Sequence, residues 1–279
     1  MSTSKPKWHE GPLAGFDLET TGVDVYGDRI VTAAVVHHTP GSRPRALQWV
    51  INPGTDVPAE AAEVHGWTNQ RLNDYLGDRE AARIIDGRTA YLSREGALNE
   101  FASQLALVMH TETPVVAANA AFDLTLLEAE LTRHGIDTLT SRPTGIAGVI
   151  DPMVLEKQYD PYRKVKGGCK GGKYKCGGCG ATDKKLTSLC AHYGVVLAAA
   201  HDAAADALAA VRLTPRLAAA WPDIARLKLN TLHQKQIGWR AEQMDGLRAY
   251  FDRAGTEHDG CCGEWPVHRA CASRRKAVA

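Results

Sequence analysis

Acidic side chains stand at three separated places in this sequence, in patterns that could hold a divalent metal ion. Asp17 and Glu19 lie two residues apart at the end of a predicted strand, so both side chains fall on one face of a sheet. Two adjacent carboxylates repel each other unless a cation lies between them, and such oxygen ligands favour Mg²⁺ or Mn²⁺. Asp123 and Asp206 each stand near the start of a predicted helix. Considered singly, these acids also fit a solvated pair beside a turn and a helix N-cap.

A histidine precedes the last of these acids. His201 stands five residues before Asp206, in the segment His-Asp-Ala-Ala-Ala-Asp-Ala. An imidazole with a pKa near ~6.5 can take a proton from water at neutral pH. The small alanines allow the predicted helix to approach the sheet closely, so that Asp206 can point inward. The segment predicts a proton acceptor beside a metal ligand, although by itself it also fits an alanine-rich surface helix with a histidine at its entry.

Three segments, taken together and in order, resemble the exonuclease motifs of the DEDDh 3′→5′ exonucleases. They are Phe-Asp-Leu-Glu-Thr-Thr-Gly at 16–22, Asn-Ala-Ala-Phe-Asp at 119–123 and the histidine-containing segment at 201–207. Val-His-Gly at 64–66 is similar to a further element between the first two motifs. Within the family, the chain resembles the epsilon proofreading subunit of bacterial DNA polymerase III and related stand-alone exonucleases. The resemblance covers about residues 13–213, and the histidine-to-aspartate spacing is typical of the branch that does not use tyrosine.

This resemblance implies an α/β, ribonuclease-H-like fold, in which helices flank a mixed sheet. It also implies hydrolysis of the 3′-terminal phosphodiester of DNA, at single-stranded or frayed ends, with release of 5′-mononucleotides in proofreading or repair. The implied catalytic residues are Asp17, Glu19, Asp123, His201 and Asp206. The four acids would hold two Mg²⁺ or Mn²⁺ ions, and the histidine would take the proton of the attacking water.

The same resemblance implies a pocket for the terminal nucleotide, lined by Thr20, His65, Asn119 and Phe122. Phe122 fits a core anchor equally well. Two other functions stay open: RNA 3′-end trimming by an exoribonuclease of the same superfamily, and nucleic-acid binding by a polymerase-associated module. The intact set of acids and histidine favours an enzyme over a module that only binds. The predicted partners are therefore nucleic acid and, for a proofreading subunit, a DNA polymerase, with no membrane.

A Cys-, Gly- and Lys-rich insertion interrupts the predicted domain at residues 164–181. Cys176 and Cys179 form a Cys-x₂-Cys pair, and Cys169 lies seven residues upstream. Thiolates at this spacing suit one structural Zn²⁺, and unliganded surface thiols are the alternative. The candidates for a fourth ligand are Cys190, His192 and Asp183. Cys190 also fits a packed core thiol, because it falls in a predicted helix.

Positive charge is concentrated around the same insertion. Residues 157–185 carry nine Lys or Arg against two Asp, whereas the rest of the chain carries 24 basic and 30 acidic residues. One short basic segment on a mildly acidic body predicts contact between the Lys and Arg side chains of residues 163–185 and nucleic-acid phosphates. The alternative is a solvated loop.

Hydrophobic patterning predicts the elements that position the candidate site. Strands at 13–18, 29–38 and 46–51, followed by alternating helices and short strands, predict an exonuclease domain over residues 11–215. Pro215 would end its last helix, at 203–213. Residues 1–10 fit a flexible tail, and residues 216–279 a helical extension with an irregular end. Trp239 and Trp265 predict that this extension packs back on the domain or on a partner.

The irregular end carries further potential ligands, namely His258, Cys261, Cys262, His268 and Cys271. They predict either a second metal site or a weakly packed terminus.

Composition restricts the class of protein. With 279 residues, 44% of them hydrophobic and 23% charged, the chain can bury a sizeable core, which excludes disorder throughout. No apolar run approaches the ~18 residues of a membrane helix, and the N-terminus lacks a signal-peptide pattern. Seven cysteines without such a signal indicate reduced thiols or a metal, and hence a cytoplasmic protein.

Overall fold

The computed structural model describes residues 7–163, 184–258 and 262–269. Within these ranges it has one mixed sheet of seven strands, in the order β5-β4-β3-β2-β1-β6-β7. The strands are β1 (Leu13–Thr20), β2 (Ile30–His38), β3 (Arg45–Ile51), β4 (Ala81–Ile85), β5 (Arg88–Leu92), β6 (Val115–Val116) and β7 (Val149–Ile150). The first five pair antiparallel, whereas β6 runs parallel to β1 and β7 parallel to β6. The strand with the Asp-x-Glu pair therefore lies inside the sheet.

Helices cover both faces of this sheet, as the α/β prediction requires. In chain order they are α1 (Ala59–His65), α2 (Asn69–Leu76), α3 (Arg94–His110), α4 (Ala120–Arg133), α5 (Pro152–Tyr159), α6 (Leu186–Tyr193), α7 (Ala203–Ala220), α8 (Pro222–Ala225) and α9 (Leu229–Ala254). Phe16 of β1 packs in one core with residues of α3 and α4. Leu13, on the opposite face of β1, packs in a second core with residues of α5, α6 and α7. No helix of the described residues is long and apolar enough to cross a bilayer.

Two local features differ from the sequence prediction. The β4–β5 hairpin was missed, although its two-residue turn, Asp86-Gly87, has positive φ at both positions and is a known hairpin signal. Pro215 does not end α7, which continues to Ala220. The residues beyond it, Leu217 and Ala218, are buried in the core, so packing overrides the local preference of proline.

Both ends of the described chain are tied to the α/β body. Trp8, expected in a flexible tail, is buried, and its indole N–H donates to the Ile224 carbonyl at 3.3 Å. On α9, Gln236 accepts the Asp151 N–H at 2.7 Å and donates to the Val149 carbonyl at 2.9 Å. Because α7 also runs continuously through residue 215, the expected boundary at 215/216 lies inside a helix, and the extension packs on the sheet.

Gly15 is expected to be indispensable for the contact between β1 and α7. A methyl group there would lie 2.6 Å from Cγ2 of Val211 and still closer to the Ala207 carbonyl oxygen. We expect Gly15→Ala to lower the free energy of unfolding by about 3 kcal/mol, measured by urea denaturation, because an overpacked core must shift backbone. Gly238→Ala, on α9 with open space around it, is the control and should stabilise by ~0.5–1 kcal/mol. Equal effects of the two variants would contradict this account.

Candidate metal centre

Three carboxylates converge between β1 and α7. Asp17 and Glu19 project from the α7-facing side of β1, and Asp206 projects from the first turn of α7. One oxygen from each lies within 4.8 Å of the others. The close approach of α7 at Gly15 makes this possible, since the helix backbone there is in contact with the strand. The structure thus brings together three of the four acids that the sequence predicted as metal ligands.

Asp123 lies beside this trio rather than inside it. It occupies the first turn of α4 and is 3% exposed. Burial, then the charges of Asp151 and Glu19, raise the pKa of Asp123 well above its usual value. Burial also raises the pKa of Asp17, and the charge of Asp123 is the next cause. All four acids therefore share one electrostatic environment. Asp123 is not the N-cap of α4, because Asn119 holds that position.

The acids of this cluster fit a divalent cation. One carboxylate oxygen of Asp206, Oδ1, is buried without a hydrogen-bond partner among the described residues, while Oδ2 accepts the His201 N–H at 3.0 Å. Burial and the charges of Asp206 and Asp202 raise the pKa of Glu19 to about 8. Gathering several carboxylates at a partly desolvated site costs free energy that a hard cation offsets.

We expect the metal-free protein to lose stability as the pH rises. Glu19 binds a proton more tightly in the folded chain, with a pKa of about 8, than in the unfolded chain, where the value is 4.5. Its contribution is therefore fully present below the lower value and disappears as the pH rises through the higher one. In EDTA, the melting temperature should fall between about pH 6 and about pH 8.5, and added Mn²⁺ should raise it most at the higher pH.

The matched variant for this prediction is Glu19→Gln. It removes one titrating group from the cluster, so the decline in EDTA should become shallower. A melting temperature that rises with pH in the metal-free wild type would show that these acids do not repel one another in the folded chain.

His201 stands at the entry to α7 with an exposed side chain. Its φ of 64° lies in the left-handed region, where histidine is uncommon, and its backbone N–H is held by Asp206. The next residue, Asp202, caps α7 by accepting the Ala205 N–H at 3.0 Å. Because the backbone of His201 is bonded to Asp206, its imidazole lies near the cluster and is open to solvent.

Two of the four predicted substrate-binding residues are engaged in internal hydrogen bonds. His65 is buried, and its Nδ1 accepts the Trp67 N–H at 3.1 Å. Nε2 therefore carries the proton of the neutral ring and donates to the Thr20 carbonyl at 3.3 Å. Burial lowers the pKa of His65, which favours this neutral form. The hydroxyl of Thr20 donates to the Gly22 carbonyl at 2.6 Å, so both residues shape the turn after β1.

The other two residues lie at the start of α4. Asn119 is exposed, has a φ of 65°, and makes no side-chain capping bond. Phe122 is half-buried and packs against the core of the α3–α4 face. For Phe122 the structure therefore agrees with the core-anchor alternative, while its exposed part remains available to a ligand.

Asp151 is a residue that the sequence placed at the end of a short strand without a role. It is 2% exposed and accepts the N–H groups of Asn119 at 3.2 Å and Ala120 at 3.0 Å, which fixes the start of α4. It also caps α5 by accepting the Met153 N–H at 2.9 Å. Burial raises the pKa of Asp151. An Asp before Pro152 was the available sequence signal, because this pair is typical of a helix start.

The predicted zinc site falls outside the described residues, as do Cys169, Cys176, Cys179 and Asp183. Cys190 is 1% exposed on α6, and burial raises its pKa to about 11. Since zinc binds thiolates, Cys190 fits the core-thiol alternative. His192 lies two positions further along the same helix, so the two side chains do not share a face. Of the tail ligands, Cys261 and Cys271 also fall outside the described residues, while the His258 ring lies 2.9 Å from Asp252. Cys262 is disulfide-bonded, so the expectation of a reduced thiol or a metal ligand is wrong for this residue.

Part of the basic segment is committed to an internal ion cluster. Glu156, buried on α5, contacts Arg163 at 2.5 Å and Lys184 at 2.7 Å. These two cations stand at the two ends of residues 164–183, and Arg163 is 4% exposed. The prediction that the basic residues of 163–185 contact phosphates is therefore wrong for Arg163, whose guanidinium is buried against Glu156.

No protein-family model and no curated protein sequence matches this chain. Solved structures of exonuclease I do match its fold. The exonuclease I of Methylocaldum szegediense is 20% identical, with a TM-score of 0.52, and E. coli exonuclease I in complex with a dA16 oligonucleotide is 16% identical, with a TM-score of 0.53. The E. coli enzyme with a dT13 oligonucleotide gives 16% and 0.51. Each alignment covers 77% of this chain and 42% of the other.

The sheet order, the flanking helices and these matches define a ribonuclease-H-like α/β fold that is shared with solved exonuclease structures. Solved structures of exonuclease I are among those that share this fold, and this chain spans less than half of their length.

Proposed function

We propose that this chain is a metal-dependent 3′→5′ exonuclease that hydrolyses the 3′-terminal phosphodiester of single-stranded DNA. The observation that carries the proposal is the convergence of Asp17, Glu19 and Asp206, with Asp123 buried beside them. These acids come from distant parts of the chain, and their mutual repulsion has no structural benefit unless a cation is bound. The shared fold of exonuclease I structures, two of them holding oligonucleotides, supports the same class of reaction.

The acids and the histidine have different roles in the proposed hydrolysis. Asp17, Glu19, Asp123 and Asp206 would hold two Mg²⁺ or Mn²⁺ ions. Bound cations of this kind supply a nucleophilic hydroxide and neutralise charge at the departing oxygen. His201 takes the proton of the attacking water at its exposed imidazole. Asp206 contributes twice, since one oxygen faces the cluster and the other fixes the backbone of His201.

The products follow from the position of attack. Water adds its oxygen to the terminal phosphorus, the bond to the 3′ oxygen of the preceding nucleotide breaks, and a 5′-mononucleotide leaves. Two matched structures of exonuclease I hold oligodeoxynucleotides, which supports single-stranded DNA as the substrate. RNA is the competing substrate, since the same cluster of acids acts on either phosphodiester.

The test is digestion of 3′-labelled and 5′-labelled DNA and RNA oligonucleotides in Mn²⁺ by wild type and by Asp17→Ala. We expect early release of labelled mononucleotide from the 3′-labelled DNA, a descending ladder from the 5′-labelled DNA, and neither from the variant. Faster loss of the RNA would change the substrate assignment. Equal digestion by wild type and Asp17→Ala would exclude catalysis by this cluster.

A further inference from the structure

An arginine in the first turn of α2 departs from the local preferences of helix formation. Thr68 caps α2 by accepting the Arg71 N–H at 3.1 Å, which places Arg71 in the third position of the helix. Glu or Gln is favoured at this position, and the positive end of the helix dipole disfavours a cation there. The first turn of α2 contains no acidic residue to offset it. Residues that break a local rule in this way are candidates for a function.

The Arg71 guanidinium is exposed yet held in place. It stacks on the ring of Trp67 at 3.9 Å, and Nη1 donates to the Gly66 carbonyl at 3.0 Å. The ring of Trp67 in turn meets Tyr75 edge-on at 5.8 Å. A guanidinium positioned in this manner loses little further freedom when an anion binds its remaining N–H groups.

One stacking contact and two hydrogen bonds link this arginine to the residue that follows Glu19. The Trp67 N–H is bonded to His65, and His65 is bonded to the carbonyl of Thr20, the residue that follows Glu19. His65 thus lies at the end of β1, and Arg71 is bonded to the carbonyl of the adjacent Gly66. An arginine paired with an aromatic ring, here the half-buried Trp67, is a combination found where proteins bind a single-stranded nucleic-acid backbone.

The geometry points to Arg71, held on Trp67, as a binding site for a backbone phosphate of the nucleic-acid strand whose 3′ end enters the carboxylate cluster. This inference rests on the proposed function. It assigns Arg71 to the strand upstream of the scissile bond, because the acids and His201 already surround the reacting phosphate. Arg71 therefore contributes to the binding of oligonucleotides and not to the chemical step.

The test compares two substrates. We expect Arg71→Ala to raise KM for an oligodeoxythymidine about tenfold with little change in kcat, and to lower the slope of log KM against log salt by ~0.7, the value for one phosphate contact on a single strand. The p-nitrophenyl ester of thymidine 5′-monophosphate has no upstream phosphate, so its hydrolysis should be unchanged. Arg71→Lys keeps the charge without the planar fork and should lie in between.

Arg79→Ala is the matched control. Arg79 is also exposed, stacks on Tyr91 at 4.0 Å and donates to a backbone carbonyl. Its partner Tyr91 is on β5, which is four strands, or about 19 Å at ~4.8 Å per strand, from β1. Arg79→Ala should leave both KM for the oligonucleotide and the salt slope unchanged. If Arg71→Ala lost activity equally on the oligonucleotide and on the ester, the inference would be wrong. It would also be wrong if the slope of log KM against log salt did not change. If the wild type hydrolyses neither substrate, the proposed function itself fails.

Discussion

Asp206→Asn is expected to lower the rate of 3′-end hydrolysis by about three orders of magnitude, comparable with losing a key electrostatic group at an active site. Asparagine keeps the size of the side chain and can still accept the His201 N–H, which Asp206 accepts at 3.0 Å. The substitution removes the negative charge of Asp206, whose Oδ1 is buried with no hydrogen-bond partner in the described part of the chain. The loss should therefore come from weakened cation binding at an intact fold.

Asp202→Asn is the control for this substitution. Asp202 begins the same helix, but its exposed carboxylate caps α7, and asparagine caps helices equally well. We expect its activity to stay within about threefold of wild type, since an exposed charge near the site has a modest effect. Titration with Mn²⁺, followed by electron paramagnetic resonance, should show weaker binding in Asp206→Asn alone. Similar activity in the two variants would remove Asp206 from the cluster of ligands.

Glu156→Gln is expected to destabilise the protein by about 3–5 kcal/mol, the cost of breaking a buried ion pair by removing one partner. Glu156 is fully buried and contacts both Arg163 and Lys184. Glutamine has almost the same shape, but it leaves the buried guanidinium without a compensating charge.

The control for the buried pair is a pair nearer the surface. Glu100 pairs with Arg83, with 25% and 32% of the two side chains exposed, so Glu100→Gln should cost under about 1 kcal/mol. Combining Glu156→Leu with Arg163→Met replaces both charges by apolar groups and should restore stability relative to Glu156→Leu alone. Urea denaturation measures all of these values. If Glu156→Gln lowered the free energy of unfolding no more than Glu100→Gln does, Glu156 would not form a buried ion pair that stabilises the fold.

Much of the candidate site was predictable from short-range patterns. The Asp-x-Glu spacing placed Asp17 and Glu19 on one face of β1, because side chains alternate along a strand. The alanines around Asp206 predicted a helix lying close to the sheet, and the contact of Ala207 with Gly15 agrees with this. The mixed α/β fold followed from strands preceding alternating helices and strands, and the sheet order confirms it.

Other features depended on partners distant in the chain. Whether Pro215 ends a helix was decided by the buried positions of Leu217 and Ala218, which no local preference reports. Asp151 gained its role only because Asn119 and Ala120 are brought beside it by the pairing of β6 with β7. The charge of Arg163 predicted a phosphate ligand, because a sequence does not report which residue will lie beside it. In the structure Arg163 is buried against Glu156.

The amino-acid sequence by itself indicated which acids form the candidate cluster, through its resemblance to the exonuclease motifs, and which strand and helix carry them, through periods of two and 3.6 residues. The tertiary structure decided that Asp123 lies beside the tight trio, that both nitrogens of His65 are engaged, and that the C-terminal helix is bonded to the sheet edge. The physical reason is that hydrogen bonding and desolvation depend on which atoms meet across the fold, and periodicity within one segment contains no information about the segment packed against it.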